Sequence, residues 1–243
     1  MTTTELLQDG TVVARALAAP GRGIAEAVER RRALTALCIA TAASLLFAAV
    51  AVPRVDYEAA AQRRARGPEA QEQTQFQREE AVATARKLGH ITGWAGAALA
   101  PVLLAAGAAA LLFAGFRVAG TRPALEETFA VAAHGTLPVW LGGLLAIPAA
   151  LARAPIPPDD LPRLLPSSLA ALAPRAAAPL AAALSGVDLF ALWAVALVAT
   201  GMARASGASR ARAFTVTLVL YAAAIALLKV VPAAVLGGPR GAP

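Results

Sequence analysis

Asp188 and Lys229 are the two residues of this chain whose placement could do the most chemistry. Each is the lone ionisable residue in a long apolar run, Leu180 to Ala203 and Ala213 to Leu236 respectively. Opposite charges at bilayer depth can pair, fix helix register or, with a third polar group beside them, carry protons or ions. From Leu189 to Ala203 there are fifteen residues, about 22 Å of helix at about 1.5 Å per residue, short of a hydrocarbon core of about 30 Å. A span here must then reach back past Asp188 toward Pro179. That puts Asp188 nine residues in from one end of its span and Lys229 seven residues before Leu236, at matching depth. An ion pair between antiparallel neighbours is the economical arrangement. The alternatives are an Asp188 that caps a later-starting helix and a Lys229 that snorkels alone to the interface.

Other reactive constellations are missing from the sequence. It has no Gly-Lys-Ser/Thr phosphate loop, no His-Glu-x-x-His, no Cys-x-x-Cys and no Gly-x-Ser-x-Gly, which removes the common nucleotide, zinc and hydrolase readings. His90 and His134 lie far apart with no acidic cluster to complete a metal site, so His134 reads as a packed, hydrogen-bonded histidine. Glu126 and Glu127 point to different sides of a helix and suit its amino-terminal turn better than shared acid-base work. Cys38, the single cysteine, reads as a small apolar packing residue. The expectation is a protein without enzymatic activity, cofactor or metal.

The elements that would position these residues are membrane spans. Ala33 to Val52, Ile91 to Phe116 and Thr128 to Ala152 run twenty, twenty-six and twenty-five residues without Asp, Glu, Lys or Arg. With the two runs above they make five expected spans, near 33–52, 91–116, 128–152, 180–203 and 213–236. Hydrophobic residues make up 58% of the chain and charged ones 15%, where a soluble domain carries about a quarter charged. Lipid-exposed backbone must satisfy its own hydrogen bonds, and runs rich in Ala and Leu that do not alternate do so as helices. The fold class is all-α: a polytopic membrane bundle with about five transmembrane helices plus amphipathic interfacial helices.

The domain division follows. Residues 1–32 form a cytoplasmic amino-terminal segment, 33–238 the membrane domain and 239–243 a short tail. Retention of the first run as an anchor is expected, because the leader before it carries Glu5, Asp9, Glu26 and Glu29, unlike a signal peptide. Ile24 and Val28 share a face of a short interfacial helix before the first span. Residues 54–90, where seven basic and six acidic residues nearly cancel, suggest a surface helix after Pro68. Seven prolines between 155 and 179 forbid one continuous helix there, and Ser167 or Ser168 could cap the piece Leu169 to Leu172. Pro101, Pro138 and Pro148 should bend the second and third spans, and Gly93, Gly96, Gly142, Gly143 and Gly201 offer sites of close helix approach.

The net charge of +7 is spread over helix flanks and lacks the basic and aromatic stripe of a nucleic-acid binder, so the bilayer and not nucleic acid is the expected partner. Arg30, Arg31 and Arg32 before the first span, with Arg204, Arg210 and Arg212 in a short loop, set the amino terminus inside and the carboxyl terminus outside.

Two segments, Thr128 to Pro138 and Val187 to Trp193 running on to Gly201-Met202-Ala203, resemble the bacterial branch of the Yip1-domain family of membrane proteins. The resemblance extends to Pro20 to Arg32 and Ser206 to Tyr221, and omits residues 54–90. Pro138, Asp188, Phe190 and Trp193 match its pattern. The Asp-Leu-Tyr-Gly-Pro motif of eukaryotic members is absent, so their work with Rab-type GTPases is not carried over. The resemblance implies a five-span bundle with a cytoplasmic amino terminus and no enzymatic activity. It also implies a bacterial inner-membrane setting and kinship with accessory subunits of ABC-type efflux systems. Pro138, Asp188, Phe190, Trp193 and Lys229 are thus expected to be structural or interaction determinants. The leading expectation is a non-enzymatic assembly or accessory component, partnered by another membrane protein or by further copies of itself. The competing reading is a small transporter or permease with a polar pathway through the bundle.

Overall fold

A computed structural model of the chain describes residues 23–24, 26, 33–64 and 74–236. These are mostly helical, with two isolated β-bridges and no strand among them. Helix α1 is Leu34–Ala51, α2 Tyr57–Arg64, α3 Gln75–Val118, α4 Leu125–Gly135, α5 Leu137–Leu145, α6 Ile147–Ala152, α7 Ala178–Gly186, α8 Leu189–Ser206, α9 Arg210–Ile225 and α10 Val231–Leu236, with a π segment, Ala226–Val230, between the last two. Among the described residues, five stretches are long and apolar enough to cross a membrane: Leu34–Arg54, Gln75–Val118, Leu125–Ala152, Leu189–Ser206 and Arg210–Val235.

Most boundaries have local causes. Pro53 disfavours a helical residue before it, so α1 gives way to a 3-10 turn, Val52–Arg54, and the Arg54 guanidinium donates to the Val50 carbonyl at 2.7 Å. Helix α3 ends at Gly120, whose φ of +80° only glycine adopts without strain. There the Thr121 amide (3.0 Å) and hydroxyl (2.8 Å) both donate to the Phe116 carbonyl. Glu126 and Glu127 occupy the first turn of α4, where the helix dipole favours negative charge. Helix α8 stops at Gly207, φ +68°, and the Ser209 hydroxyl caps α9 by accepting from the Arg212 amide.

The prolines act unequally. Pro138 cannot give an N–H to the His134 carbonyl, and the chain turns at Thr136, whose own N–H reaches the carbonyls of Ala132 and His134. A second turn at Ala146 precedes Pro148 in the same way. Pro101, by contrast, lies fully buried inside α3 without ending it. That helix also absorbs the stretch expected to be a separate surface helix, starting at Gln75 and continuing into the second span.

Two compact units divide the chain. In the unit of residues 1–40, 101–141 and 166–243, Leu112, Phe116, Val131, Leu197 and Met202 form a buried core with Ile24. Ile24 is fully buried, while the rest of the interfacial helix expected over 24–32 lies outside the described residues save Glu26. Gly201 lets α8 approach closely: a Cβ there would stand 2.7 Å from methyls of both Ile24 and Val131. A second cluster packs Ala36, Ala40, Ala105, Ala133 and Leu137. In the unit of residues 41–100 and 142–165, Ala146, Ala150, Ile156 and Leu164 gather with Phe47 and Val50. There the Asp56 amide donates to the Ile156 carbonyl at 2.9 Å and the Ile156 amide to the Arg54 carbonyl at 2.8 Å. Gly93 lies against Val52 and Tyr57 as a close-approach site should, but Gly96 faces open space, because it falls on the outer side of α3. Cys38 is exposed on α1 and not a packing residue of this chain's interior.

Candidate functional site

The polar groups of greatest interest collect where α7 stops and α8 begins, all within the unit that contains residues 166–243. The fourth span does not extend past Asp188. Helix α7 ends at Gly186, Val187 leaves the helical region at φ −88°, ψ 80°, and α8 starts afresh at Leu189. A continuous helix over 180–203 was the expectation from bilayer thickness; it fails because Asp188 has its own partners in an extended conformation, φ −112°, ψ 143°.

Asp188 is the N-cap of α8. Its Oδ1 accepts from the Phe190 amide at 2.9 Å and the Ala191 amide at 3.2 Å, two of the donors that a helix start leaves without partners. Its Oδ2 accepts from the Ser167 hydroxyl. The backbone of residues 167–169 is bridged antiparallel to residues 187–189, with the Leu169 amide on the Val187 carbonyl (3.0 Å) and the Leu189 amide on the Ser167 carbonyl (3.1 Å). Ser168 occupies the N-cap position of the 3-10 turn Leu169–Leu172 but makes no side-chain cap bond, and Ser167 is turned to Asp188 instead.

The carboxyl end of α7 has the opposite need, since its last carbonyls lack donors. The fifth span supplies two. Tyr221 donates its hydroxyl to the Gly186 carbonyl, and the Lys229 ammonium donates to the Ser185 carbonyl at 3.2 Å and the Ser185 hydroxyl at 3.3 Å. The Ser185 hydroxyl in turn donates to the Ala182 carbonyl at 2.8 Å. A cation at a helix carboxyl end and an anion at a helix amino end both match the backbone dipoles. Lys229 sits in the π segment, and the side chain of Ile225 just before it closes on Gly186, where a Cβ would stand 2.7 Å away.

Asp188 and Lys229 therefore serve two different helix ends and do not form the ion pair that matching depth made economical. The other expected determinants divide. Phe190 is half-buried, and its amide is one of the two capped by Asp188. Trp193, one turn later, packs against the core of α4 and α8. Pro138 is fully buried at the start of α5, at a separate break. Ser167, Ser185 and Tyr221 complete the junction; the sequence offered Ser167 only as a cap for Leu169 to Leu172, and did not single out Ser185 or Tyr221. An Asp directly before an apolar run is a readable cap signature; the serines and the tyrosine carry no comparable local mark.

His134 is buried with its Nδ1 2.9 Å from the Ala130 carbonyl, as a packed histidine should be. Among the described residues no group of three or more His, Cys, Asp or Glu is gathered in metal-binding fashion. In the other unit, Tyr57 packs on His90 with ring centroids 5.3 Å apart, and Arg86 meets Glu58 at 2.8 Å. That ion pair is largely exposed and contributes on the order of 0–1 kcal/mol. Partial burial raises the Tyr57 hydroxyl above its ordinary pKa.

A set of apolar helices long enough to span a bilayer, one of them restarted at a capped junction, defines a multi-pass integral membrane protein. The chain matches the Yip1 domain over residues 14–231 and belongs to the Yip1 family. No curated protein and no solved structure gives a significant match to it.

Proposed function

We propose that this Yip1 protein works without chemistry of its own, as an assembly or accessory component for other proteins of a bacterial inner membrane, with an ABC-type efflux system as the partner to test first. The observation that carries this reading is the engagement of both charges as helix caps, Asp188 for α8 and Lys229 for α7. Caps fix a fold; they do not line a route. A surface for partners is also available, since none of the most apolar stretch of the fifth span is buried within the chain. Leu218 and Val219 are exposed along it. Crosslinking in membranes followed by purification in mild detergent should yield an efflux-system subunit in fixed proportion, lost when Leu218 and Val219 are replaced by Ser. Substrate flux through liposomes containing this protein alone would sink the proposal.

That flux would favour a second reading, a small permease. Ser167, Ser185, Asp188, Tyr221 and Lys229 gather at a helix break, and broken helices are where many transporters hold ions and substrates. On this reading the caps would have to release during transport.

The orientation proposed is amino terminus inside and carboxyl terminus outside. Two contacts support the alternation of sides: the Arg212 guanidinium donates to the Ala119 carbonyl, joining the segments after the second and fourth spans, and Val55 bridges Ile156, joining those after the first and third. Cysteine labelling in intact cells should reach positions 60 and 171 and miss 120 and 208. Labelling of 208 from outside would reverse the orientation.

A further inference from the structure

Lys229 is exposed, and both acceptors it reaches, the Ser185 carbonyl and hydroxyl, are neutral. An ammonium has three N–H donors, so one is left over. The carboxylate of the same junction is engaged elsewhere, on Ser167 and on the amides of Phe190 and Ala191. Leu228, the residue before Lys229, is 77% exposed, and Leu227 and Val231 on its own span and Leu180 on α7 are exposed as well. A positive charge at the margin of a hydrocarbon phase, with only neutral acceptors from its own chain, calls for an anion. It also sits in a π turn, a departure from α-helix that is often found at functional positions.

We infer that Lys229 is the headgroup contact of a binding site for one anionic glycerophospholipid. The remaining N–H donates to a phosphate oxygen, and an acyl chain lies along Leu228, the exposed neighbour of Lys229. A zwitterionic lipid fits less well because its own ammonium already compensates its phosphate. The inference goes beyond the accessory role and holds or fails independently of it.

Native mass spectrometry of the full-length protein in mild detergent tests it, with phosphatidylglycerol, phosphatidylcholine and inorganic phosphate titrated separately. Phosphatidylglycerol should add one tightly held copy per chain and outcompete phosphatidylcholine. Lys229→Gln should weaken that copy about fivefold, the factor one basic group contributes at an anionic lipid surface, while Lys229→Arg keeps it. Leu228→Asn should weaken it with the charge intact, and this variant decides the matter if Lys229→Gln does not fold. Equal binding of the two lipids would overturn the inference, as would undiminished phosphatidylglycerol binding in folded Lys229→Gln or Leu228→Asn. Displacement of the lipid by millimolar inorganic phosphate would show a simple phosphate site instead. A crosslink from Lys229 to a carboxylate of a second copy in lipid-free protein would assign the cation to self-association and likewise overturn it.

Discussion

The break at Thr136 and the break at Val187 interrupt two neighbouring stretches of apolar sequence, and they are repaired from different distances. At the first, everything needed lies within the seven residues from Ala132 to Pro138. Pro138 withholds a donor from His134, and the Thr136 amide and hydroxyl cover the carbonyls of Ala132 and His134, the hydroxyl at 2.9 Å. At the second, Asp188 caps the start of α8 locally, but it is held by Ser167, and the end of α7 is covered by Tyr221 and Lys229, the last 44 positions from the Ser185 it serves. A local repair permits a break wherever the sequence places one. A distant repair makes the break depend on the whole arrangement, so the junction at 187–188 should be the more cooperative of the two.

The sharpest way to break the comparison is Asp188→Ala. It removes the cap of two amides and leaves the Ser167 hydroxyl without its partner, and should cost about 2–4 kcal/mol of stability in detergent unfolding. Asp188→Asn, which still caps, should stay within about 1 kcal/mol of the parent. A loss from Asp188→Ala no larger than that from Thr136→Val would remove the distinction between the two breaks.

Next in size is Gly201→Ala. Its new methyl would overlap Ile24 and Val131, at a cost of about 1–3 kcal/mol. Gly96→Ala, with open space around it, should be neutral or stabilising by less than about 1 kcal/mol. Equal thermal midpoints for the two variants would mean that Gly201 is not at a close contact.

Tyr221→Phe should cost about 1–1.5 kcal/mol, the worth of its bond to the Gly186 carbonyl. Lys229→Met and Asp188→Asn should combine additively to within about 0.5 kcal/mol, because they act on different helix ends. A larger coupling would revive the direct pair. Smallest of all, Thr136→Val should cost about 0.5–1 kcal/mol, since the Thr136 amide remains on Ala132 at 3.1 Å; chemical denaturation would resolve it.

These contrasts also explain what could be read in advance. The five spans were legible because each is written in one contiguous run, and the turns near Pro138 and Pro148 because proline acts on the residues just before it. The merger of the polar stretch after Gln75 with the second span was not, since a helix can continue through a change from polar to apolar without any local mark. The ion pair was inferred from depth alone, and depth says nothing of the nearer acceptors that the fold brings to each charge. Asp188 as a cap was one of the readings the sequence left open. Lys229 as the cap of α7 was hidden, because α7 is too short to span and its end becomes a liability only once the chain has folded around it.

Helix α3 runs 44 residues, a contour of about 66 Å at about 1.5 Å per residue, against about 40–45 Å for a bilayer with its headgroups. Length therefore cannot fix where this helix stops along the membrane normal; only the step in polarity along it can. Glu79, Glu80, Arg86 and Lys87 are all exposed on its amino-terminal part, and the apolar run opens at Ile91. The helix is a graduated scale against which the water boundary can be read, one turn at a time, by a polarity-sensitive dye moved from position 79 to position 99.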